Sequence, residues 1–344
     1  MSKHILFLVH GMGVHPDKWS AGTIKLLKDA YDSYPGLNIV PFDARFQFVE
    51  IGYDKIFEDI RKRWASESGA ILKVMGANGL GDDFLKKLVE AGNEPGKDNF
   101  LWTHVLDVLL YRFVPTVSMA VRVSVADQIM KQLDTGGEIP AWSVIAHSLG
   151  TSVAHDTLND LYHTAIPGRP GHSLSTGDTA AELVMMVANV SKVLETTPVY
   201  TSYVRPAATS LPDRICRYYY SVAHRRDPIT WFKTFDPPPP WPDAASATNF
   251  KALSVRHVLD WNVHDIDHYL KSPQVHIPFF RYLAGQDCVS EQEEAAAIQN
   301  FVKQWQKGSW SKIDEVLENI LPHQNGSWNE LFSSLLKYGS LIKK

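Results

Sequence analysis

The sequence predicts an α/β protein with a mostly parallel central sheet flanked by helices. Short apolar runs alternate along the chain with longer segments whose apolar residues recur at helical spacing. This alternation is typical of strand–helix–strand units. In addition, the apolar run that begins at Trp142 passes through Ala146-His147-Ser148-Leu149-Gly150 directly into a helical pattern from Thr151. A sharp turn is therefore expected to join a buried strand to a helix at Ser148.

The individual elements follow from the same patterns. Six apolar runs of strand length lie at Ile5–Val9, Asn38–Phe42, Trp142–Ala146, Glu182–Val187, Ile215–Val222 and Val255–Leu259. Helical spacing is found after them at Thr151–Tyr162, Pro278–Leu283 and Glu291–Trp305. Strands separated by helices in this way pair in parallel, because each crossover returns the chain to the same edge of the sheet.

The regular alternation is interrupted once and then ends in a helical tail. We predict an α/β core formed by residues 1–49 and 138–307, a helical insertion at 50–137 and a C-terminal helical extension at 308–344. The insertion could act as a lid over the strand ends or pack on one face of the sheet. The apolar face of the extension could dock on the domain, which is the default, or on a second subunit or a membrane surface.

Composition excludes several classes of protein. The chain has 344 residues, of which 44% are hydrophobic, so it can bury a large core. Its 34 Lys+Arg against 38 Asp+Glu offer no support for a nucleic-acid partner. Two cysteines exclude a disulfide scaffold. The first apolar run is too short for a signal peptide, and arginines and a proline interrupt the apolar region at 108–125. We therefore expect a cytoplasmic protein without a transmembrane segment.

The turn at Ser148 has the features that a nucleophilic serine requires. A serine hydroxyl is a weak nucleophile, so it must be exposed by a strained turn and placed beside a base. The residues two before and two after it must be small, as Ala146 and Gly150 are. The following helix directs its first N–H groups at developing negative charge, and we expect the N–H of Leu149 to be one oxyanion donor. The alternative is a serine that only caps the helix.

The chain resembles the α/β-hydrolase family, and in particular lipase-like members with an H-G-x-G loop. The resemblance depends on four features: His10-Gly11-Met12-Gly13, Ala146-His147-Ser148-Leu149-Gly150, Asp227-Pro228 and His268. It covers about residues 4–14 and 138–285, and it departs from the usual G-x-S-x-G pattern at Ala146. It implies an α/β-hydrolase fold and a Ser-Asp-His triad in this chain order.

The resemblance also implies roles for the remaining motif residues. Met12 would supply the second oxyanion N–H, Gly11 and Gly13 would let the loop approach the substrate, and His10 would orient the loop. Asp227 would be the triad acid, although an Asp-Pro pair also begins ordinary turns.

The base has two candidates, His264 and His268, which are four residues apart. His268 is preferred, because Tyr269 and Ser272-Pro273 after it match the loop that leads into a helix in the family.

A metal site is not expected. Two histidines four apart with acids between them suggest metal ligands, but the pattern H-x-H-x-D-H would need histidines where Val263 and Asp265 stand. No H-E-x-x-H occurs either. We predict no metal and no cofactor.

The sequence therefore predicts a serine hydrolase that cleaves the carboxylic ester of a small molecule or a lipid through an acyl-enzyme on Ser148. A thioesterase or amidase with the same triad is an alternative, as is a non-catalytic binding module with the hydrolase fold. Apolar residues of the insertion could line an acyl pocket or form the insertion's own core, namely Trp64, Phe100, Leu101, Trp102, Leu109 and Tyr111.

Overall fold

Six parallel strands form the central sheet of the protein. The computed structural model describes residues 3–78, 80–92, 101–134, 139–163, 174, 179–196, 198–206, 215–237, 249–307 and 310–342. The strands are β1 (His4–Val9), β2 (Phe46–Ile51), β3 (Trp142–His147), β4 (Ala181–Val187), β5 (Cys216–His224) and β6 (Phe250–Val255). Their order across the sheet is β2-β1-β3-β4-β5-β6, and every neighbouring pair is parallel. The predicted α/β architecture is confirmed.

The helices occupy the connections between the strands and the C-terminal part of the chain. Those before β3 are α1 (Ala21–Asp32), α2 (Phe42–Arg45), α3 (Asp54–Lys62), α4 (Trp64–Ala77), α5 (Asp82–Gly92), α6 (Leu106–Phe113) and α7 (Pro115–Leu133). A π-helical turn, Leu101–Val105, precedes α6. The later helices are α8 (Leu149–His163), α9 (Ser191–Leu194), α10 (Pro228–Phe232), α11 (Ile266–Leu270), α12 (Pro273–Ala284), α13 (Glu291–Lys307), α14 (Trp310–Glu318) and α15 (Trp328–Leu341).

The strand order creates a crevice between β1 and β3. From β1 the chain first builds β2 on one side and then returns to the other side of β1 to build β3. In parallel sheets, ligands bind at such a switch point, outside the carboxyl ends of the strands. The pairing of Val9 with Ala146 sets the loop after β1 directly beside the turn after β3.

Both faces of the sheet are covered by apolar side chains. On β1, Phe7 and Val9 belong to one core with α6, α7 and α8, and Leu6 and Leu8 belong to a second core with α1 and α12. Because both faces of the sheet are buried, side chains on both sides of an inner strand are mainly apolar, and the strand reads as a largely apolar run. Removal of this apolar surface from water is the main force that holds the layers together.

Two predicted strands are wrong in position, and both are edge strands. The second strand is β2, Phe46–Ile51, whereas residues 38–41 form turns that lead into α2. The sixth is β6, Phe250–Val255, which ends where the predicted run begins. Both observed strands mix buried and exposed residues. An outer strand is partly solvated, so it lacks the unbroken apolar run used to predict it.

The predicted insertion begins inside the sheet, because β2 continues to Ile51, past the boundary at residue 49. The boundary at 137–138 lies outside the described residues. Of the apolar residues that could have lined a pocket, Trp64, Trp102, Leu109 and Tyr111 are buried in the core shared with the sheet. Phe100 and the side chain of Leu101 lie outside the described part.

The C-terminal extension packs on the rest of the chain through α15. The helix begins with a capping box, in which Ser327 and Glu330 each bond the other's backbone N–H. Its residues Leu331, Phe332 and Leu335 enter the main core, and Phe332 stacks on Phe84 of α5 with ring centroids 4.6 Å apart. The extension therefore contacts both the insertion and the α/β core.

In the described part of the chain, no single helix has the length and apolarity needed to cross a membrane. One pair of helices, Trp102–Phe113 and Pro115–Leu133, reaches that length and apolarity together, but the two helices meet at a bend of 99°.

Candidate functional site

Ser148 occupies a strained turn at the carboxyl end of β3. Its φ is +53°, in the left-handed region that a residue with a side chain seldom adopts. Its N–H donates to the carbonyl of Val187 at 3.0 Å, which holds the turn on β4. Strain of this kind persists only when the surrounding structure enforces it, and it is concentrated at functional sites.

The turn is also tightly enclosed by the loop after β1. A Cβ atom built on Gly150 would lie 2.2 Å from the carbonyl oxygen of His10 and 2.8 Å from that of Val9. A Cβ on Gly11 would lie 3.0 Å from Cβ of Ser148. Gly150 is therefore required by close backbone approach, which agrees with the small residue expected two positions after Ser148, and Gly11 leaves room for the side chains of His147 and Ser148.

Gly150→Ala is expected to destabilise the protein by about 3 kcal/mol or more, because neither neighbouring carbonyl can move without distorting β1. Gly69→Ala is the matched control, since this helical glycine of α4 has nothing within 4 Å of an added Cβ. That variant should gain up to about 1 kcal/mol from helix propensity. Urea unfolding measures both, and equal stability of the two variants would contradict the close approach.

His264 connects Ser148 to a buried carboxylate. Its Nε2 lies 2.6 Å from Oγ of Ser148, and its Nδ1 lies 2.5 Å from Oδ2 of Asp227. An ionised carboxylate only accepts hydrogen bonds, so Nδ1 carries the proton and Nε2 is free to accept the serine hydroxyl. The backbone of His264 is held by His147, whose Nε2 donates to the carbonyl of His264 at 2.6 Å.

Asp227 lies three residues after the end of β5, at the end of the turn that follows this strand, and it is fully buried. Its carboxylate accepts the N–H of Ile229 at 2.9 Å and the hydroxyl of Tyr269 at 2.6 Å, besides His264. Burial acts to raise the pKa of Asp227, but His264 and these hydrogen bonds hold the pKa below its ordinary value. Asp227 is therefore a charged acceptor fixed on three sides.

His268, the preferred base, does not reach Ser148. Asp265 caps α11 by accepting the N–H of Asp267, which places His268 inside the helix. Its Nε2 instead bonds the carbonyl of His257 at 3.2 Å, and its ring packs edge-on against His224. The choice of His268 over His264 is corrected, because His264, in the loop before α11, is the histidine that contacts Ser148.

The loop His10–Gly13 is fixed by groups that the motif does not include. The N–H of Tyr53 donates to Nε2 of His10 at 3.2 Å, and Nδ1 of His10 then donates to the carbonyl of Gly11 at 2.8 Å. The Tyr53 hydroxyl bonds the carbonyl of His10 at 2.7 Å. His10 is fully buried and bonds the backbone of Gly11 and of Tyr53.

Asp107 is a buried acid that sequence reasoning missed. It accepts the N–H of Gly13 at 3.0 Å and pairs with Arg61, so a helix of the insertion supports the loop after β1. Burial raises the pKa of Asp107 to about 7 against the opposing effect of Arg61. Only its place in the apolar segment Leu106–Phe113 could have indicated that this acid is buried.

Ser148 lies at a small cavity of about 170 Å³. Met12, His15, His104, Asn262 and Asp265 line it. Tyr338 of α15 and Ile342, the residue after that helix, line it as well. Met12 thus lies at this cavity, and Leu149 is the first residue of α8. The first N–H groups of a helix have no acceptor within that helix, so the N–H of Leu149 is suited to an oxyanion.

Acid should destabilise this fold, because several histidines are buried in the neutral form. Burial lowers the pKa of His224 to about 3 and the pKa of His268 and His276 to about 4. In the unfolded chain the pKa of each histidine is near 6.5. Between this pH and the lower pKa of the folded state, the unfolded chain therefore binds protons that the folded protein does not. Stability present above pH 6.5 is therefore lost as pH falls, by about 2 kcal/mol per histidine at pH 5. Because its pKa is raised, Asp107 gains a proton in the folded protein between pH 7 and pH 5. This stabilises the fold and offsets the loss of stability caused by about one histidine.

The measurement is the free energy of unfolding in urea at pH 7 and pH 5. In His268→Gln, whose amide can keep the bond to His257, the loss between the two pH values should shrink by about 2 kcal/mol. An unchanged loss would show that His268 does not titrate as its burial requires.

Among the described residues, no group of three or more histidine, cysteine, aspartate or glutamate side chains is arranged to hold a metal ion. Models of known protein families do not match the chain. The curated proteins contain no significantly similar sequence. The arrangement of Ser148, His264 and Asp227 therefore has to be interpreted from its own geometry.

Proposed function

We propose that this protein is a serine hydrolase of the α/β-hydrolase type that cleaves carboxylic esters through an acyl-enzyme on Ser148. The observation that supports this most strongly is the continuous chain of contacts from Oγ of Ser148 through His264 to buried Asp227. A serine that only caps a helix needs neither a base at 2.6 Å nor a carboxylate behind that base.

In the proposed reaction, Nε2 of His264 takes the hydroxyl proton while Oγ of Ser148 attacks the substrate carbonyl. Asp227 stabilises the imidazolium that forms. The N–H groups of Leu149 and Met12 would stabilise the negative oxygen of the tetrahedral intermediate. His264 then returns the proton to the leaving alcohol, and water attacks the acyl-enzyme with His264 again as the base.

A thioesterase or an amidase would use the same groups, and the leaving group separates these alternatives. A matched acetyl ester, thioester and anilide should be compared at equal concentration. We expect the ester to have the highest kcat/KM after correction for its intrinsic reactivity.

The test of the proposal is ester hydrolysis together with active-site labelling. Methanesulfonyl fluoride, a small serine-directed reagent, should abolish hydrolysis of p-nitrophenyl acetate and modify Ser148, as located by peptide mass spectrometry. If the protein neither hydrolyses any of the three substrates nor reacts at Ser148, it is a binding module with a hydrolase-like site.

A further inference from the structure

The cavity at Ser148 is too small for a long acyl chain. Ligand sites for drug-sized molecules measure roughly 300–1,000 Å³, whereas this cavity measures about 170 Å³. A cavity below the lower end of that range favours a short acyl group over a long one.

The cavity walls are mainly polar. Histidines, Asn262, Asp265 and the Tyr338 hydroxyl outnumber the two apolar side chains, Met12 and Ile342. An alkyl chain would cover this polar surface without offering it hydrogen bonds, which costs free energy.

One wall is provided by α15 and is tied to the base. The Tyr338 hydroxyl accepts the N–H of His264 at 3.0 Å and donates to Oδ1 of Asn262 at 2.9 Å. Tyr338 is buried with Val263 and Leu317 in a small apolar cluster. The wall therefore cannot withdraw to admit a longer chain without disturbing the backbone of His264.

We propose that the substrates are esters of short, polar acyl groups, and that Ile342 at the end of α15 sets the upper limit of acyl length. This inference rests on the proposed function. It assigns the C-terminal extension a role in specificity, because Ile342 limits the size of the acyl group. The mainly polar walls favour an acyl group that carries a hydrogen-bonding oxygen.

The size limit is tested with p-nitrophenyl esters from two to eight carbons. The wild type should prefer two to four carbons and lose at least about tenfold in kcat/KM by eight. Ile342→Ala should raise the eight-carbon to two-carbon ratio about tenfold, since it removes part of the wall. Leu336→Ala is the control, because this partly buried residue of the same helix lines a different cavity. It should leave the ratio unchanged.

Polarity is tested with the methoxyacetyl ester, which has the shape of the butyryl ester but carries an ether oxygen. After correction for hydroxide-catalysed rates, the wild type should favour methoxyacetyl several-fold. Equal corrected rates for the two esters would overturn the preference for polar acyl groups.

The outcomes distinguish the two proposals. No hydrolysis of any ester would overturn the proposed function. Preference for eight carbons in the wild type, or an unchanged ratio in a folded Ile342→Ala, would overturn only the size limit. The acyl chain would then enter another space, such as the cavity of about 320 Å³ that also borders His15.

Discussion

Ser148→Ala is expected to lower kcat/KM for ester hydrolysis by about four orders of magnitude or more, because it removes the nucleophile. The residual rate would come from binding and from the backbone donors alone. Steady-state hydrolysis of p-nitrophenyl acetate measures the loss, and circular dichroism and urea unfolding establish that the fold is intact. Near-normal hydrolysis by the alanine variant would refute the serine mechanism.

Ser152→Ala is the matched control for this experiment. Ser152 lies one turn further along α8, it is buried, and its hydroxyl has no partner in the described structure. Its removal should leave kcat/KM within about threefold. A second control, Ser148→Gly, should be as inactive as the alanine variant but more stable by about 1 kcal/mol, since glycine adopts positive φ without strain.

His264→Gln should lower kcat/KM by at least about three orders of magnitude, whereas His268→Gln should leave it within about threefold. The two histidines are four residues apart, yet only His264 contacts both Ser148 and Asp227. A glutamine cannot accept and return a proton at this position. The pair is compared by kcat/KM and by the rate of labelling with methanesulfonyl fluoride.

The reverse result, a large loss in His268→Gln alone, would show that the loop before α11 rearranges in the active protein. Equal and small losses of kcat/KM in both variants would show that neither histidine acts as the base. Because both substitutions replace a buried histidine, the urea midpoint of each variant shows whether a loss of activity is a loss of fold.

The nucleophile turn was predictable because its requirements are local. A buried strand must end, a small residue must stand two positions either side of Ser148, and a helix must begin at once. The structure has all three features, and Gly150 meets the His10 carbonyl so closely that no other residue fits. Asp227 was predictable for a similar reason, since a carboxylate in the turn that follows an inner strand lies near the carboxyl edge of the sheet.

The edge strands and the base were not predictable in the same way. In the described sheet, β2 and β6 each pair with one neighbouring strand. Both contain apolar and polar residues, so their sequences do not show where the strands begin and end. The choice between His264 and His268 depends on where α11 begins. Asp265 decides this through one hydrogen bond, and two capping candidates, Asp265 and Asp267, stand next to the histidines.

By itself, the sequence determined the alternation of strands and helices, the inner strands of the sheet, and the strand-to-helix turn at Ser148, because these depend on short-range patterns of size and polarity. Tertiary structure decided which histidine faces Ser148 and that Asp107 supports the loop after β1. It also decided that Tyr338, 74 residues beyond His264, bonds the backbone of that histidine. Each of these contacts joins segments that are far apart in the sequence through a single hydrogen bond, and a local sequence pattern does not predict such a contact.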